Sequence, residues 1–161
     1  MNSASINPFL NDPDRHEIWE ILMRRDFEAF VASDWSLTEA DFLEDEFQGI
    51  DAVYLSNPDH WRLRFPTLSS YRDEWLAQAA DFKEIELLGT SKLNFLYQAA
   101  TLDTIEIIGG RALAHKKFSG SSNTTTGTPL RLLWQSVYFL RKAGSHWKIT
   151  GFVGYLPNPM A

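Results

Sequence analysis

Cysteine is missing from all 161 residues of the chain, which removes disulfides, thiolate metal sites and cysteine nucleophiles at once. Long apolar runs are missing too, since no stretch approaches the ~18 residues that cross a bilayer. The opening MNSASINPFLNDPD has no basic segment followed by an apolar one, so it does not read as a secretory signal. Positive charge is scarce: 15 Lys and Arg stand against 21 Asp and Glu, a net of −6. The basic clusters Arg24-Arg25 and His115-Lys116-Lys117 are too short to make a footprint for a phosphate backbone. No glycine-rich phosphate cradle and no G-x-S-x-G occur. The four histidines, at 16, 60, 115 and 146, are too far apart to form a ligand pair on one helix or strand face. These absences predict a cytoplasmic protein with no nucleic-acid or membrane partner, no metal site and no cofactor.

What is present suits one folded domain spanning 1–161, with 1–12 as a loose N-terminal arm. The chain is 44% hydrophobic and 22% charged, and a domain of this length hides roughly 70% of the surface its unfolded chain exposes. Asp12 can cap a helix that starts at Pro13, with Asp14 and Glu17 complementing its dipole. Trp19, Leu22, Met23, Phe27 and Phe30 keep helical spacing to about Ser33. Thr38 and Asp41 resemble a short capped turn, and 46–56 reads as extended, broken by Gly49. In HWRLRFPTLSSYRDEWL (60–76), Trp61, Leu63 and Phe65 alternate inward on a strand. Pro66 ends the strand, and a capped helix carries Tyr71 and Trp75 onward to about Phe82. Segment 84–100 is compatible with a strand, a helical turn or both.

From residue 101 the period is two. TLDTIEII-GG-RALAHKKF predicts a hairpin in which Ile105 faces Ala114, Ile107 faces Ala112 and Asp103 faces Lys116. The small polar stretch SGSSNTTTGTP reads as a loop, and strands follow over 130–141 and 147–156. Leu130, Leu132, Trp134, Ser136, Tyr138 and Leu140 share one strand face, and Trp147, Ile149, Gly151, Val153 and Tyr155 form the matching one. Helices first and a meandering sheet last predict α+β: N-terminal helices packed on a curved antiparallel sheet that forms a cone with a pocket.

RRDFEAFVASDW (24–35), DFLEDEFQGIDA (41–52), IEIIGGRALAHKKFSG (105–120) and WQSVYFLRKAGSHWKITGFVGYLP (134–157), in this layout, resemble the nuclear transport factor 2-like superfamily, in particular its SnoaL-like, polyketide cyclase-like branch. The resemblance covers nearly the whole chain. It implies a cone whose open end holds a hydrophobic pocket, a homodimer, and acid–base work by a carboxylate helped by tyrosine or histidine on a lipophilic, ring-containing molecule. Non-catalytic binding or dimerisation domains share the same layout.

Asp26 falls inside the apolar stripe of the first helix, where an unpaired carboxylate is expensive. Two readings follow: a desolvated acid or base, or a structural carboxylate paired with Arg62, Arg64 or Arg72. His115 is a candidate second proton carrier in the hairpin or, alternatively, a partly exposed strand histidine. Tyr71 or Tyr138 would donate a hydrogen bond to a developing oxyanion. Trp61, Trp75 and Trp134 would supply pocket walls, with Tyr138 beside them, although aromatic residues at period two also serve as plain core.

Overall fold

Proline at the first helical position and an aspartate before it set the start of the first helix. Asp12 Oδ1 accepts from the Arg15 N–H at 3.1 Å, and α1 (Pro13–Trp19) follows. The computed structural model describes residues 3–160. In it the same helix continues through a π-helical segment (Glu20–Arg25) into α2 (Asp26–Ala32) and closes on Ser33 in the left-handed region (φ 53°). Of the arm, the first two residues lie outside the described residues. The rest is docked, not loose: Asn7 is 5% exposed and its Nδ2 donates to the His16 carbonyl at 3.0 Å and to Glu20 at 3.2 Å.

Three short 3-10 turns lead away from α2. Thr38 makes no side-chain capping bond; Asp34 caps instead, accepting from the Ser36 N–H at 3.0 Å. α3 (Leu68–Glu84) starts from a capping box in which Thr67 and Ser70 satisfy each other's backbone N–H groups. The ambiguous stretch 84–100 resolves into an isolated bridge from Leu87 to Thr124 and α4 (Lys92–Ala99), capped by Ser91.

Six strands follow the order β2-β1-β6-β5-β4-β3: β1 (Gln48–Asp51), β2 (Arg62–Phe65), β3 (Ala100–Ile108), β4 (Arg111–Ser122), β5 (Leu130–Ala143) and β6 (His146–Leu156). The architecture is α+β, with the N-terminal helices on a curved sheet that does not close. The sheet is mixed, not wholly antiparallel, because β1 runs parallel to β6. Gly151 permits that pairing: a Cβ there would sit 2.4 Å from the Gln48 carbonyl oxygen. The β3–β4 hairpin has the expected pairs Ile105–Ala114 and Ile107–Ala112, and its turn needs a positive φ only at Gly109 (59°). Residues 119–122, expected in a loop, extend β4 and pair with Leu133 to Leu130.

Period-two reading fails along β6, which shifts register against β5 twice: between Phe139 and Leu140 and again between Gln135 and Val137. Leu140 pairs with Ile149 but Phe139 with Gly151, so Thr150 is an extra residue that turns β6 over. Trp147 and Ile149 therefore belong to the main core, as does Phe152, while Val153 packs on a second small cluster with Ala52, Leu156 and Trp61. Among the described residues no helix is long and apolar enough to cross a membrane.

Candidate functional site

Between the helices and the concave face of the sheet lies a cavity of about 280 Å³. Its floor carries two opposite charges. Asp26, the first residue of α2, points Oδ2 at Lys116 Nζ, 2.9 Å away, and Oδ1 accepts from the Trp75 indole at 3.3 Å. Lys116, on β4, is 1% exposed. Its ammonium also donates to the Leu22 carbonyl and lies 4.4 Å from the Phe27 ring centroid and 5.4 Å from that of Phe118. The π-helical segment prepares this arrangement. The Asp26 N–H bonds to the Met23 carbonyl, three residues back, and the Leu22 carbonyl, its α-helical partner, receives the lysine instead.

This corrects two expectations. None of the three arginines pairs with Asp26: Arg64 bridges Asp51 and Glu74, Arg72 holds Asp73, and Arg62 is exposed. Lys116 does not serve Asp103, because a register shift between Thr101 and Thr104 interrupts the ladder and the lysine faces inward. The signal for Lys116 was in the sequence. Ala112, Ala114, Lys116 and Phe118 share one strand face, which makes a lysine on an apolar strand face the counterpart of an aspartate on an apolar helix face.

Above the floor stand two phenols. Tyr71 on α3 and Tyr138 on β5 pack on Phe152, with ring centroids 4.9 and 5.7 Å from it. Among the described residues neither hydroxyl makes a hydrogen bond, and both line the cavity. Burial raises the Tyr71 phenol well above its ordinary value, helped by nearby Tyr138 and by the Asp26 charge. Burial, then Asp26, does the same to Tyr138. Both therefore stay neutral hydrogen-bond donors across the physiological range. Trp134 stacks on Phe118 (4.5 Å, 28°) and forms a flat wall. Ser136, 5% exposed, adds a third hydroxyl to the lining.

No family model matches the chain, and no curated protein matches it. Solved structures do. A candidate dehydratase of the NTF2-like family from Streptomyces avermitilis superposes with a TM-score of 0.59 at 13% identity, covering 91% of this chain and 97% of that one. Aln2 from a Streptomyces species gives 0.57 at 11% identity, covering 89% of each chain. An NTF2-like protein of unknown function from Shewanella baltica gives 0.54 at 15% identity, with 88% and 92% covered. The chain has the nuclear transport factor 2-like fold. At these identities the likeness concerns the fold.

Within this NTF2-like frame, Asp26, Tyr71, Trp75, Trp134 and Tyr138 all line one cavity. Two expected residues do not. His115 neighbours the inward-facing Lys116 on β4 and so falls on the opposite face, between Thr104 and Val137 in the ladder. Trp61 precedes β2 and packs on the outer cluster, its indole donating to the Leu55 carbonyl at 2.9 Å. Leu63 is 59% exposed, and of the three alternating residues only Phe65 enters the main core. Lys116, Ser136, Tyr155, Gln78 and Asp81 add polar lining that sequence reading did not assign to the site.

Proposed function

We propose that the cavity binds a small, uncharged, ring-containing molecule with a carbonyl or hydroxyl group and transfers a proton on it without a cofactor. The supporting observation is the convergence on one cavity of the Asp26 carboxylate and two phenols whose hydroxyls make no hydrogen bond among the described residues. Asp26 would take a proton from the ligand, while Tyr71 and Tyr138 donate hydrogen bonds to the oxygen where negative charge develops. Returning the proton to another carbon gives an isomerisation; delivering it to a departing hydroxyl gives a dehydration. Lys116 and Trp75 hold the carboxylate in place, and Trp75 and Trp134 wall the ring system. The cation is already occupied by Asp26 and the Leu22 carbonyl, so the floor offers an anionic ligand no free positive charge.

The test uses 2-tetralone, a ring ketone, in heavy water, with exchange of its α-protons followed by NMR. The wild type should raise its own Tm on adding the ketone and accelerate exchange over buffer. Asp26→Asn should abolish the acceleration, and Tyr138→Phe should lower it about tenfold or more. Absence of both binding and exchange across a panel of ring ketones and phenols overturns the proposal. Binding without exchange selects the second reading, a non-catalytic binding domain. The outer sheet face supports the homodimeric form of either reading, because Phe139 is 43% exposed there. A monomeric sedimentation profile at micromolar concentration would refute dimerisation.

A further inference from the structure

Among the described residues, three of the four non-glycine residues with positive φ meet at one place. Val53 (φ 50°), Tyr54 (62°) and Tyr155 (58°) sit where the end of β1 meets the end of β6. Positive φ is a rare state for a bulky or β-branched residue, and such states persist only where the surroundings over-determine them. The surroundings here form a closed circuit. Asp51 Oδ1 accepts from the Val53 N–H at 2.8 Å, and its other oxygen accepts from Arg64 at 3.1 Å. Arg64 reaches Glu74 on α3 at 3.1 Å, and Glu74 accepts from Gln78 Nε2 at 3.1 Å. Gln78 Nε2 donates to the Tyr155 hydroxyl at 2.8 Å, and the Tyr155 carbonyl accepts from the Tyr54 N–H at 2.7 Å, returning to Val53.

The ring held by this circuit lines the cavity. Tyr155 stands between Trp134 on the inside (centroids 6.0 Å) and the half-exposed Tyr54 on the outside (5.8 Å). Gln78, which shares the lining, donates to the phenol oxygen, which accepts and so keeps its own proton for another partner. On the side away from Trp134 the ring meets Tyr54, which is 54% exposed.

We propose that Tyr155 is the specificity-determining residue of the cavity: its ring, locked by the Asp51–Arg64–Glu74–Gln78 circuit, is the wall that limits how large a ring system enters. Gln78 acts through Tyr155 and is a positioning residue. The inference rests on the small-molecule reading of the cavity and adds to it which part of the ligand is measured and by what.

The experiment compares the Kd of 2-naphthol with that of 1-hydroxypyrene by calorimetry. The variants are Tyr155→Gly, Tyr155→Phe and Gln78→Ala. Glycine adopts φ 58° without strain, so Tyr155→Gly removes the ring while easing the backbone. The wild type should prefer the two-ring compound. Tyr155→Gly should move the Kd ratio at least tenfold toward the four-ring one. Tyr155→Phe cuts the hydrogen bond to Gln78 and should move it by a smaller factor; Gln78→Ala cuts the same bond and also trims the lining, so it should move it at least as far as Tyr155→Phe. Both should also raise amide exchange at Tyr54 while leaving that of β4 and β5 unchanged. A wild-type ratio in Tyr155→Gly, with 2-naphthol still bound, overturns this inference and leaves the pocket reading standing. Failure of both compounds to bind both the wild type and Tyr155→Gly overturns the pocket reading itself and this wall with it.

Discussion

At the floor of the cavity the Lys116 side chain is 2% exposed and meets Asp26 directly. At the mouth the Arg64 side chain is 42% exposed and shares itself between Asp51 and Glu74. Both ends use ionic hydrogen bonds of about the same length, yet their surroundings give them different work. A charge taken out of water is costly to leave alone, so the floor pair is obligatory: each partner makes the other tolerable. Water can replace any single link at the mouth, so the circuit contributes geometry more than stability. A buried floor suits a held charge, and the mouth, formed by the Tyr155 wall, is fixed by partly exposed links that set its geometry.

The sharpest way to break this contrast is at the floor. Asp26→Leu alone strands a fully buried ammonium on the Leu22 carbonyl and two rings. It should cost about 3–5 kcal/mol in urea unfolding. Adding Lys116→Met should recover most of that loss or exceed the wild type, since replacing a whole buried pair by apolar groups is often neutral or stabilising. A double variant as unstable as the single one would show that the pair is not the unit that matters.

A second effect comes from the phenols. Tyr71 and Tyr138 have folded-state values raised by burial, whereas the unfolded chain titrates near 10. Above that pH the native state holds more protons than the unfolded one. The stability from these phenols is therefore complete below about pH 10 and is lost as pH rises beyond it. Each contributes a slope of about 1.4 kcal/mol per pH unit. The urea midpoint should fall accordingly at alkaline pH, and Tyr138→Phe should remove one share. Phenolate absorbance should appear for these two rings only as the protein unfolds. Their titration in the intact fold would contradict the closed floor.

How much of this was legible in the sequence depends on periodicity. The start of the first helix, the pairs next to the Gly-Gly turn and the inward face of β5 follow from spacing, because each keeps one period over that stretch. Asp26 stands out for the same reason, as a carboxylate on an apolar stripe. Its partner does not, because an ideal ladder matches Lys116 to Asp103 and the real ladder has a shift there. The extra residue at Thr150 likewise exchanges the faces of β6, bringing Phe152 inside where alternation expects Val153. Composition and alternation alone suggest Trp61 and His115; His115 lies one position out of phase with the cavity, and Trp61 packs on the outer cluster. Bulges and parallel pairing are set by contacts distant in sequence, so local spacing does not carry them.

The smallest effect is expected at the mouth. Arg64→Met removes the link between β2 and α3 and leaves Asp51 with the Val53 N–H and Glu74 with Gln78. Each released carboxylate keeps that donor, and the side-chain exposures are 10% for Asp51 and 31% for Glu74. The methionine still covers the Phe65 ring, over which the guanidinium now lies at 5.0 Å. The loss should be about 0.5–1 kcal/mol in thermal unfolding, the range of partly exposed ion pairs. Added salt should shrink it further, because screening acts on exposed charges and spares buried ones. The same salt series should leave the Asp26→Leu cost nearly constant. A loss at Arg64 as large and as salt-insensitive as that at the floor would mean that the mouth is held by the core, and the division of labour between the two ends would fall.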